Sequence, residues 1–181
     1  MSNIITIGHT GFLGSYLKDR FDTETWPGRF EWSSLWWSRA AEDYWADCAT
    51  IFYCARTCRK ESPRRDRETV MLDTQGIIKT LQSFPTARII YCSTKVVDGW
   101  TDDWERPISR KEIGDYFERA LVGDYKNQTI QIPEYMERTT PIKKPLSHEH
   151  TLYANTKSIG ELLVKSCTKD YTIFRIWDIE Q

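Results

Sequence analysis

A glycine-rich turn directly after a short apolar run constrains this chain more than any other feature. Residues 3–7 read Asn-Ile-Ile-Thr-Ile, a β-branched run that is typical of a buried strand. The turn Gly8-His9-Thr10-Gly11-Phe12-Leu13-Gly14 follows at once, and helical periodicity continues to Phe21. The order predicts a strand, a tight turn and a helix that begins inside the glycine-rich segment.

Each glycine of this turn has a separate physical purpose. Gly8 permits the sharp exit from the strand, Gly11 lets the backbone approach a phosphate, and Gly14 lets the helix lie close to the strand. The first turn of the helix offers unpaired N–H groups and the positive end of its dipole. The motif therefore predicts a site for the pyrophosphate of a dinucleotide.

The remaining elements alternate between strand and helix patterns. Apolar or aromatic runs predict strands at residues 30–37, 49–54, 87–92 and 171–177, and helical periodicity predicts helices at 40–46, 67–84 and 151–167. Such alternation is typical of an α/β, Rossmann-type, doubly wound parallel sheet with both faces covered. We expect residues 1–181 to form a single NAD(P)-binding domain of this class.

One long segment, residues 98–147, interrupts the alternation between the fourth strand and the helix at 151–167. It is too long for a plain loop. Ser109-Arg110-Lys111-Glu112 is a capping-box pattern that predicts a helix through Leu121, and Thr129 to Ile132 alternates like a short strand. We interpret the segment as an insertion packed at the carboxyl edge of the sheet. Its aromatic residues could cover a site, form an oligomer interface or form a small core of their own.

Composition narrows the function classes. The chain has 181 residues and a net charge of −1, which offers no bulk electrostatic attraction for nucleic acid. No apolar run is long enough to cross a bilayer, and the N-terminus has no secretory signal pattern. The five cysteines form no zinc-binding pattern, so we expect no metal and interpret them as reduced thiols of a cytoplasmic protein.

A tyrosine and a lysine lie four residues apart in Tyr153-Ala154-Asn155-Thr156-Lys157. On a helix this spacing puts both side chains on one face. A nearby ammonium favours the phenolate, which suits acid–base chemistry. Ser93 and Thr94 end the fourth strand, where a hydroxyl could hold the reacting oxygen of a substrate.

In this combination the sequence resembles the extended short-chain dehydrogenase/reductase superfamily, the NAD-dependent epimerase/dehydratase family. The matching segments are 8–14, 47–55, Asp73-Thr74-Gln75-Gly76, Ser93-Thr94 with Val96-Val97, 153–157 and 174–177. They follow the order of the family and cover nearly the whole chain outside the insertion. The resemblance implies the same fold and hydride transfer to or from a nicotinamide.

The resemblance also implies roles for particular residues. Tyr153 would be the general acid/base, Lys157 would bind the nicotinamide ribose, and Ser93 would hydrogen-bond the substrate oxygen, with Thr94 as its rival. The cofactor-binding residues implied by the turn and the resemblance are Gly8, Thr10, Gly11, Phe12, Leu13, Gly14, Ser38, Arg39, Cys54, Ala55 and Asp73. Because Arg39, and no carboxylate, follows the predicted second strand, the sequence favours NADP over NAD.

Two departures from the family keep the function open. Asp73 stands where the family usually has Asn, and the chain ends at Gln181 without the residues that build a substrate lobe. The first hypothesis is an NAD(P)-dependent oxidoreductase or epimerase/dehydratase-like enzyme that acts on a sugar or nucleotide-sugar. The alternative is a non-catalytic dinucleotide-binding sensor, regulator or subunit. In either case the helix with Tyr153 and Lys157 could pair with its copy in a homodimer.

Overall fold

A parallel sheet forms the centre of the molecule. The computed structural model describes residues 3–25, 48–55, 70–98, 107–132, 134, 148–176 and 179. The described strands are β1 (Ile4–Ile7), β2 (Glu24–Thr25), β3 (Thr50–Tyr53), β4 (Arg88–Thr94), β5 (Gln128–Ile132) and β6 (Tyr171–Ile176). Their order in the sheet is β2-β1-β3-β4-β6-β5. The helices are α1 (Phe12–Phe21), α2 (Ile77–Ser83), α3 (Arg110–Leu121) and α4 (His148–Cys167).

The predicted α/β class is confirmed, because every pairing among these strands is parallel. The two-residue strand β2 lies beside β1, and it is too short for any periodicity to reveal it. The strand predicted at residues 30–37 and the helix predicted at 40–46 lie outside the described residues. Strand β4 runs two residues further than predicted, so Ser93 and Thr94 are paired with Arg175 and Ile176 of β6.

Apolar side chains cover the sheet on both faces. Tyr53 and Tyr91 face one way, where they pack with Ile77 of α2 and Val164 of α4. The residues next to them along the strands face the other way and pack on α1 and α3. Those residues and their helix partners include Phe52, Ile90, Phe174, Leu17 and Phe117. The alternation of side chains along each strand thus builds two core layers from one sheet.

The described part of segment 98–147 joins this core. The side chain of Ser109 accepts a hydrogen bond from the Glu112 backbone at 3.2 Å, and the Glu112 carboxylate accepts one from the Ser109 backbone at 3.0 Å. This capping box begins α3 where the sequence predicts it. Strand β5 then adds to the outer side of β6, although it precedes β6 in the chain.

Three aromatic residues of this segment pack on the sheet. The Phe117 ring lies 4.9 Å from Phe52 of β3 and 5.2 Å from Phe174 of β6. Tyr116 and Tyr125 also contact Phe174. These three rings pack into the core shared with the sheet, because α3 lies against the sheet's face. Trp100, Trp104 and Tyr135 lie outside the described residues.

The glycine turn has the geometry that its sequence requires. Gly8 has a φ of +89°, which side-chain-bearing residues rarely adopt. A Cβ on Gly14 would lie 2.1 Å from the carbonyl oxygen of Gly8, so α1 packs directly on the turn. Gly8 therefore makes the tight turn, and Gly14 lets α1 approach that turn closely, while cofactor binding by either residue stays a prediction.

We predict that Gly14→Ala lowers the free energy of unfolding by about 3 kcal/mol or more, because rigid backbone opposes the added Cβ. Urea denaturation followed by circular dichroism measures the loss. The matched control is Gly123→Ala, where φ is +102° and no atom lies within 4 Å of the added Cβ. That change carries only a backbone penalty of about 1–2 kcal/mol. Equal losses in the two variants would contradict this account of the turn.

Candidate functional site

Three chain segments meet at the carboxyl edge of the sheet. The Cys54 backbone N–H donates to the carbonyl of Ile7 at 2.8 Å, which joins the ends of β1 and β3. A Cβ on Gly8 would lie 2.6 Å from the carbonyl carbon of Cys54 and from the Ala55 nitrogen. The glycine turn, Cys54 and Ala55 are therefore in direct contact, as a common ligand would require.

The first turn of α1 faces this edge without a side-chain cap. The Gly11 N–H donates to the Gly8 carbonyl at 3.0 Å and closes the turn, and no side chain accepts from the N-terminal N–H groups of α1. Thr10, Gly11 and Phe12 are exposed, whereas Leu13 and Gly14 are buried. Uncapped N–H groups beside an exposed glycine suit an anionic group.

A guanidinium lies beside the same turn. The Cζ atom of Arg110, the first residue of α3, lies 4.4 Å from the centre of the Phe12 ring, the first residue of α1. This contact depends on how α1 and α3 pack, so no pattern in the sequence reveals it. It adds positive charge next to the uncapped helix end.

Lys157 is buried under the ends of β3 and β4. Its side chain is 3% exposed. The ammonium donates to Asp73 Oδ1 at 2.9 Å, to the Cys92 carbonyl at 3.2 Å and to the Ala55 carbonyl at 3.5 Å. A lysine has three N–H groups, so each has an acceptor within the chain. The contact with Ala55 is the longest, and it exceeds the usual range for a hydrogen bond.

Asp73 compensates the buried charge of Lys157. Its Oδ1 also accepts a hydrogen bond from the Tyr91 hydroxyl at 2.8 Å. The carboxylate lies in a π-helical turn, Leu72–Gly76, and π turns often occur at functional positions. Burial is the largest single influence on the pKa of Lys157 and lowers it, but the charge and hydrogen bond of Asp73, together with the smaller effects of Tyr153 and Cys92, raise that pKa above its ordinary value. The ammonium therefore stays charged at neutral pH.

Tyr153 shares a helix face with Lys157, as the spacing predicts. The Lys157 Nζ lies 5.9 Å from the centre of the Tyr153 ring. The Asp73 carboxylate, 2.9 Å from that Nζ, offsets part of the positive potential that Lys157 exerts on its surroundings. The departure from Asn to Asp at position 73 thus acts directly on the tyrosine–lysine pair.

Ser93 and Thr94 have different partners. Ser93 is buried and donates to Glu161 Oε1 at 2.5 Å. Arg175 holds the same carboxylate with two hydrogen bonds, Nε to Oε1 at 2.9 Å and Nη2 to Oε2 at 2.7 Å. The Thr94 hydroxyl instead accepts a hydrogen bond from the Val96 backbone N–H at 3.3 Å. The Ser93 hydroxyl therefore already donates its hydrogen bond to Glu161, whereas the Thr94 hydroxyl can still donate one.

Glu161 is the residue that sequence reasoning missed. Its position, four residues after Lys157 and eight after Tyr153, places all three on one face of α4. That spacing is a usable signal for a third polar group at the site. Its partner Arg175 lies in β6, and only the fold brings the two together.

The other predicted positions can be placed only in part. Ser38 and Arg39 lie outside the described residues, so the preference for NADP stays a prediction. No group of three potential metal ligands occurs among the residues that the structure describes. Likewise, no described helix is long and apolar enough to span a membrane.

Several solved structures have a similar fold. WbmG from Bordetella bronchiseptica, in complex with NAD and UDP, matches with a TM-score of 0.54 and 14% identity over 96% of this chain and 52% of its own. RMD from Pseudomonas aeruginosa, complexed with NADPH, matches with a TM-score of 0.55 and 16% identity over 97% of this chain and 54% of its own. An Agrobacterium tumefaciens protein of the short-chain dehydrogenase/reductase superfamily, with bound NAD, also matches. Its TM-score is 0.52, and its identity is 14% over 95% of this chain and 48% of its own.

These matches define the class of fold. The chain has the Rossmann-type fold of the dinucleotide-bound structures above, and it spans about half the length of each. No protein-family model and no curated protein matches the sequence.

We predict that Asp73→Asn and Lys157→Met each lower the free energy of unfolding by about 3–5 kcal/mol, because each leaves one buried charge unpaired. The double variant should lose less than the sum of the two. A double-mutant cycle by chemical denaturation measures this coupling. Additive losses would contradict a direct ion pair. The matched control is Lys111→Ala, whose exposed partner Asp115 lies 3.2 Å away and whose loss should cost below about 1 kcal/mol.

The same cycle has a defined pH dependence. The pKa of Lys157 in the folded chain is raised above its ordinary 10.5. A raised pKa contributes stability that is fully present below the unfolded-state value and is lost as pH rises through the folded-state value. The coupling should therefore persist through neutral and mildly alkaline pH and decline only above about pH 10.5. A coupling that falls between pH 6 and 9 would contradict the assignment to Lys157.

Proposed function

We propose that the chain binds a nicotinamide dinucleotide and uses it in oxidoreductase or epimerase/dehydratase-like chemistry. One observation carries the proposal: the glycine turn, the ends of β3 and β4, and the Lys157 ammonium meet at one edge of the sheet. Ligands bind at this edge in doubly wound folds. The dinucleotide supplies hydride transfer when it is bound.

The residues at this edge fit the pyrophosphate end of the cofactor. Gly8, Thr10, Gly11, Phe12, Leu13 and Gly14 supply the turn and the uncapped helix end. Cys54 and Ala55 lie against that turn and would line the cofactor, and Ser38 and Arg39 would meet its second ribose. Asp73 would act through Lys157. NAD and NADP both remain in the proposal, with NADP favoured by Arg39.

Lys157 fits the nicotinamide ribose with one change of partner. Its bonds to Asp73 and the Cys92 carbonyl have ordinary lengths, 2.9 and 3.2 Å, whereas the Ala55 carbonyl is 3.5 Å away. A ribose hydroxyl could replace Ala55 as the third acceptor at little cost. The ion pair with Asp73 would hold the ammonium in place throughout.

In this proposal Tyr153 and a hydroxyl at the end of β4 carry out the acid–base chemistry. The Tyr153 phenol would exchange a proton with the substrate hydroxyl or carbonyl, and a neighbouring O–H would hold the same substrate oxygen. We favour Thr94 over Ser93 for that hydroxyl, because Ser93 already donates to Glu161 at 2.5 Å. The Glu161–Arg175 pair would then keep the end of β4 in position.

One of the similar solved structures supports the proposed substrate class. WbmG was crystallised with UDP as well as NAD, which supports a nucleotide-sugar or another sugar derivative as the substrate here. A cytoplasmic location belongs to the same proposal. So does a homodimer through α4, where Ile159 and Leu162 are 44% and 64% exposed. A buried dimer contact would remove these apolar side chains from water.

A second candidate function is a dinucleotide-binding protein without turnover. The Asp73 carboxylate favours it, because this carboxylate weakens the positive potential near Tyr153 on which acid–base chemistry would depend. A sensor, regulator or subunit needs only the binding edge.

We expect the purified chain to bind NADH or NADPH and to oxidise it with a keto-sugar nucleotide from a panel of candidates. Tyr153→Phe should reduce turnover by about 100-fold or more and leave the dinucleotide Kd within about twofold, since it removes only the proton donor. Calorimetric titration and loss of nicotinamide absorbance are the two measurements. Tight binding without turnover would favour the second function, and an absence of binding would overturn both.

The same assay distinguishes the roles of the Thr94 and Ser93 hydroxyls. Thr94→Val should lower kcat by about 10- to 100-fold if its O–H holds the substrate oxygen. Ser93→Ala should change kcat by less than about threefold and should instead lower stability by about 1–3 kcal/mol, because Glu161 loses a donor. The reverse order of kcat effects would assign the role to Ser93.

A further inference from the structure

Two cysteines stand side by side at the proposed binding edge. Tyr53 of β3 pairs with Tyr91 of β4, so the next residues along both strands, Cys54 and Cys92, are neighbours across the sheet. Their sulfur atoms lie 3.1 Å apart and are not bonded. Neighbouring strands are about 4.8 Å apart, and a disulfide accepts Cα separations of about 4.4–6.8 Å. Closing the bond requires the sulfurs to approach to about 2.05 Å.

The two cysteines differ in their exposure to solvent. Cys92 is 9% exposed and packs in the core, whereas Cys54 is half-buried at the end of β3. Cys54 is therefore the thiol that a dissolved oxidant can reach, and Cys92 is the thiol that can complete the bond.

The surroundings of Cys54 make this thiol slow to react at neutral pH. The contact with the Cys92 thiol and burial raise the pKa of Cys54 well above its ordinary range, although the Lys157 charge opposes them. Thiolates, not thiols, attack disulfides. Mildly alkaline conditions should accordingly speed the reaction.

We propose that Cys54 and Cys92 form a reversible disulfide that is made by a low-molecular-weight disulfide such as oxidised glutathione. The Cys54 thiolate attacks the glutathione disulfide, which breaks its S–S bond and releases one glutathione. The Cys92 thiol then loses its proton and attacks Cys54 Sγ, which releases the second glutathione. The protein dithiol is oxidised by two electrons, and the small disulfide is reduced to two thiols.

The bond would act on the edge where we propose that the dinucleotide binds. Cys54 contacts Gly8 of the turn, and the Cys92 carbonyl accepts from Lys157 at 3.2 Å. Drawing the two sulfurs together would tie the ends of β3 and β4 to each other next to these groups. The consequence for binding rests on the proposed function, whereas the formation of the disulfide does not.

The remaining cysteines differ in their surroundings. Cys48 donates to the Thr50 carbonyl at 3.4 Å, and Cys167 is exposed on α4. Within the described ranges neither has another thiol as a hydrogen-bond partner. Cys58 lies outside the described residues, so the experiment must remove it as well.

The test uses a variant with Cys48→Ser, Cys58→Ser and Cys167→Ser, which leaves only the pair. Oxidised glutathione at mildly alkaline pH should remove two hydrogen atoms from its intact mass, and peptide mapping should join Cys54 to Cys92. Dithiothreitol should reverse the change. The control adds Cys54→Ser, which should abolish the loss of two hydrogens.

A second readout follows dinucleotide binding by calorimetry. Oxidation should weaken NAD(P)H binding by about fivefold or more, and bound dinucleotide should slow the oxidation. A folded variant, checked by circular dichroism, that never loses the two hydrogens would overturn the proposal. Disulfide formation only in urea would overturn it too. If the reduced protein binds no dinucleotide, the proposed function fails, while the mass measurement still decides the disulfide.

Discussion

The buried ion pair between Asp73 and Lys157 is the interaction on which the site depends. It joins the π turn before α2 to α4, and through the carbonyls of Cys92 and Ala55 it also joins the ends of β4 and β3. Both side chains are 3% exposed, so neither charge could be buried without the other. The pair therefore ties α4 to the sheet and holds the ammonium at the edge where we propose that the dinucleotide binds.

A second buried carboxylate, that of Glu161, lies one helical turn beyond Lys157 on α4. Glu161 binds Arg175 of β6 and accepts a hydrogen bond from the Ser93 hydroxyl, which leaves Thr94 as the strand-end hydroxyl able to donate. Each carboxylate thus determines which polar groups at this edge already have a partner within the fold and which could contact a ligand. Asp73 keeps the lysine charged but shields that charge, so the same residue bears on whether the site is catalytic.

How much of the structure can be predicted from the sequence depends on how far apart in the chain the interacting residues lie. The glycine turn, the capping box at Ser109 and the spacing from Tyr153 to Lys157 are local, and the structure has each where the sequence predicts it. Asp73 is visible as a departure, but its contact with Lys157 spans 84 positions and needs the fold. The placement of β5 beyond β6 also escapes prediction, because strand order reflects packing of α3 and not any pattern within β5.

The central claim is that a nicotinamide dinucleotide binds at this edge with Lys157 at its ribose. A crystal structure of the chain grown with NADPH tests it most directly. The account predicts the pyrophosphate at the first turn of α1, and a ribose hydroxyl in place of the Ala55 carbonyl as the third partner of Lys157, with the Asp73 bond retained. A dinucleotide bound elsewhere, or a ribose out of reach of an unchanged Lys157, would contradict it.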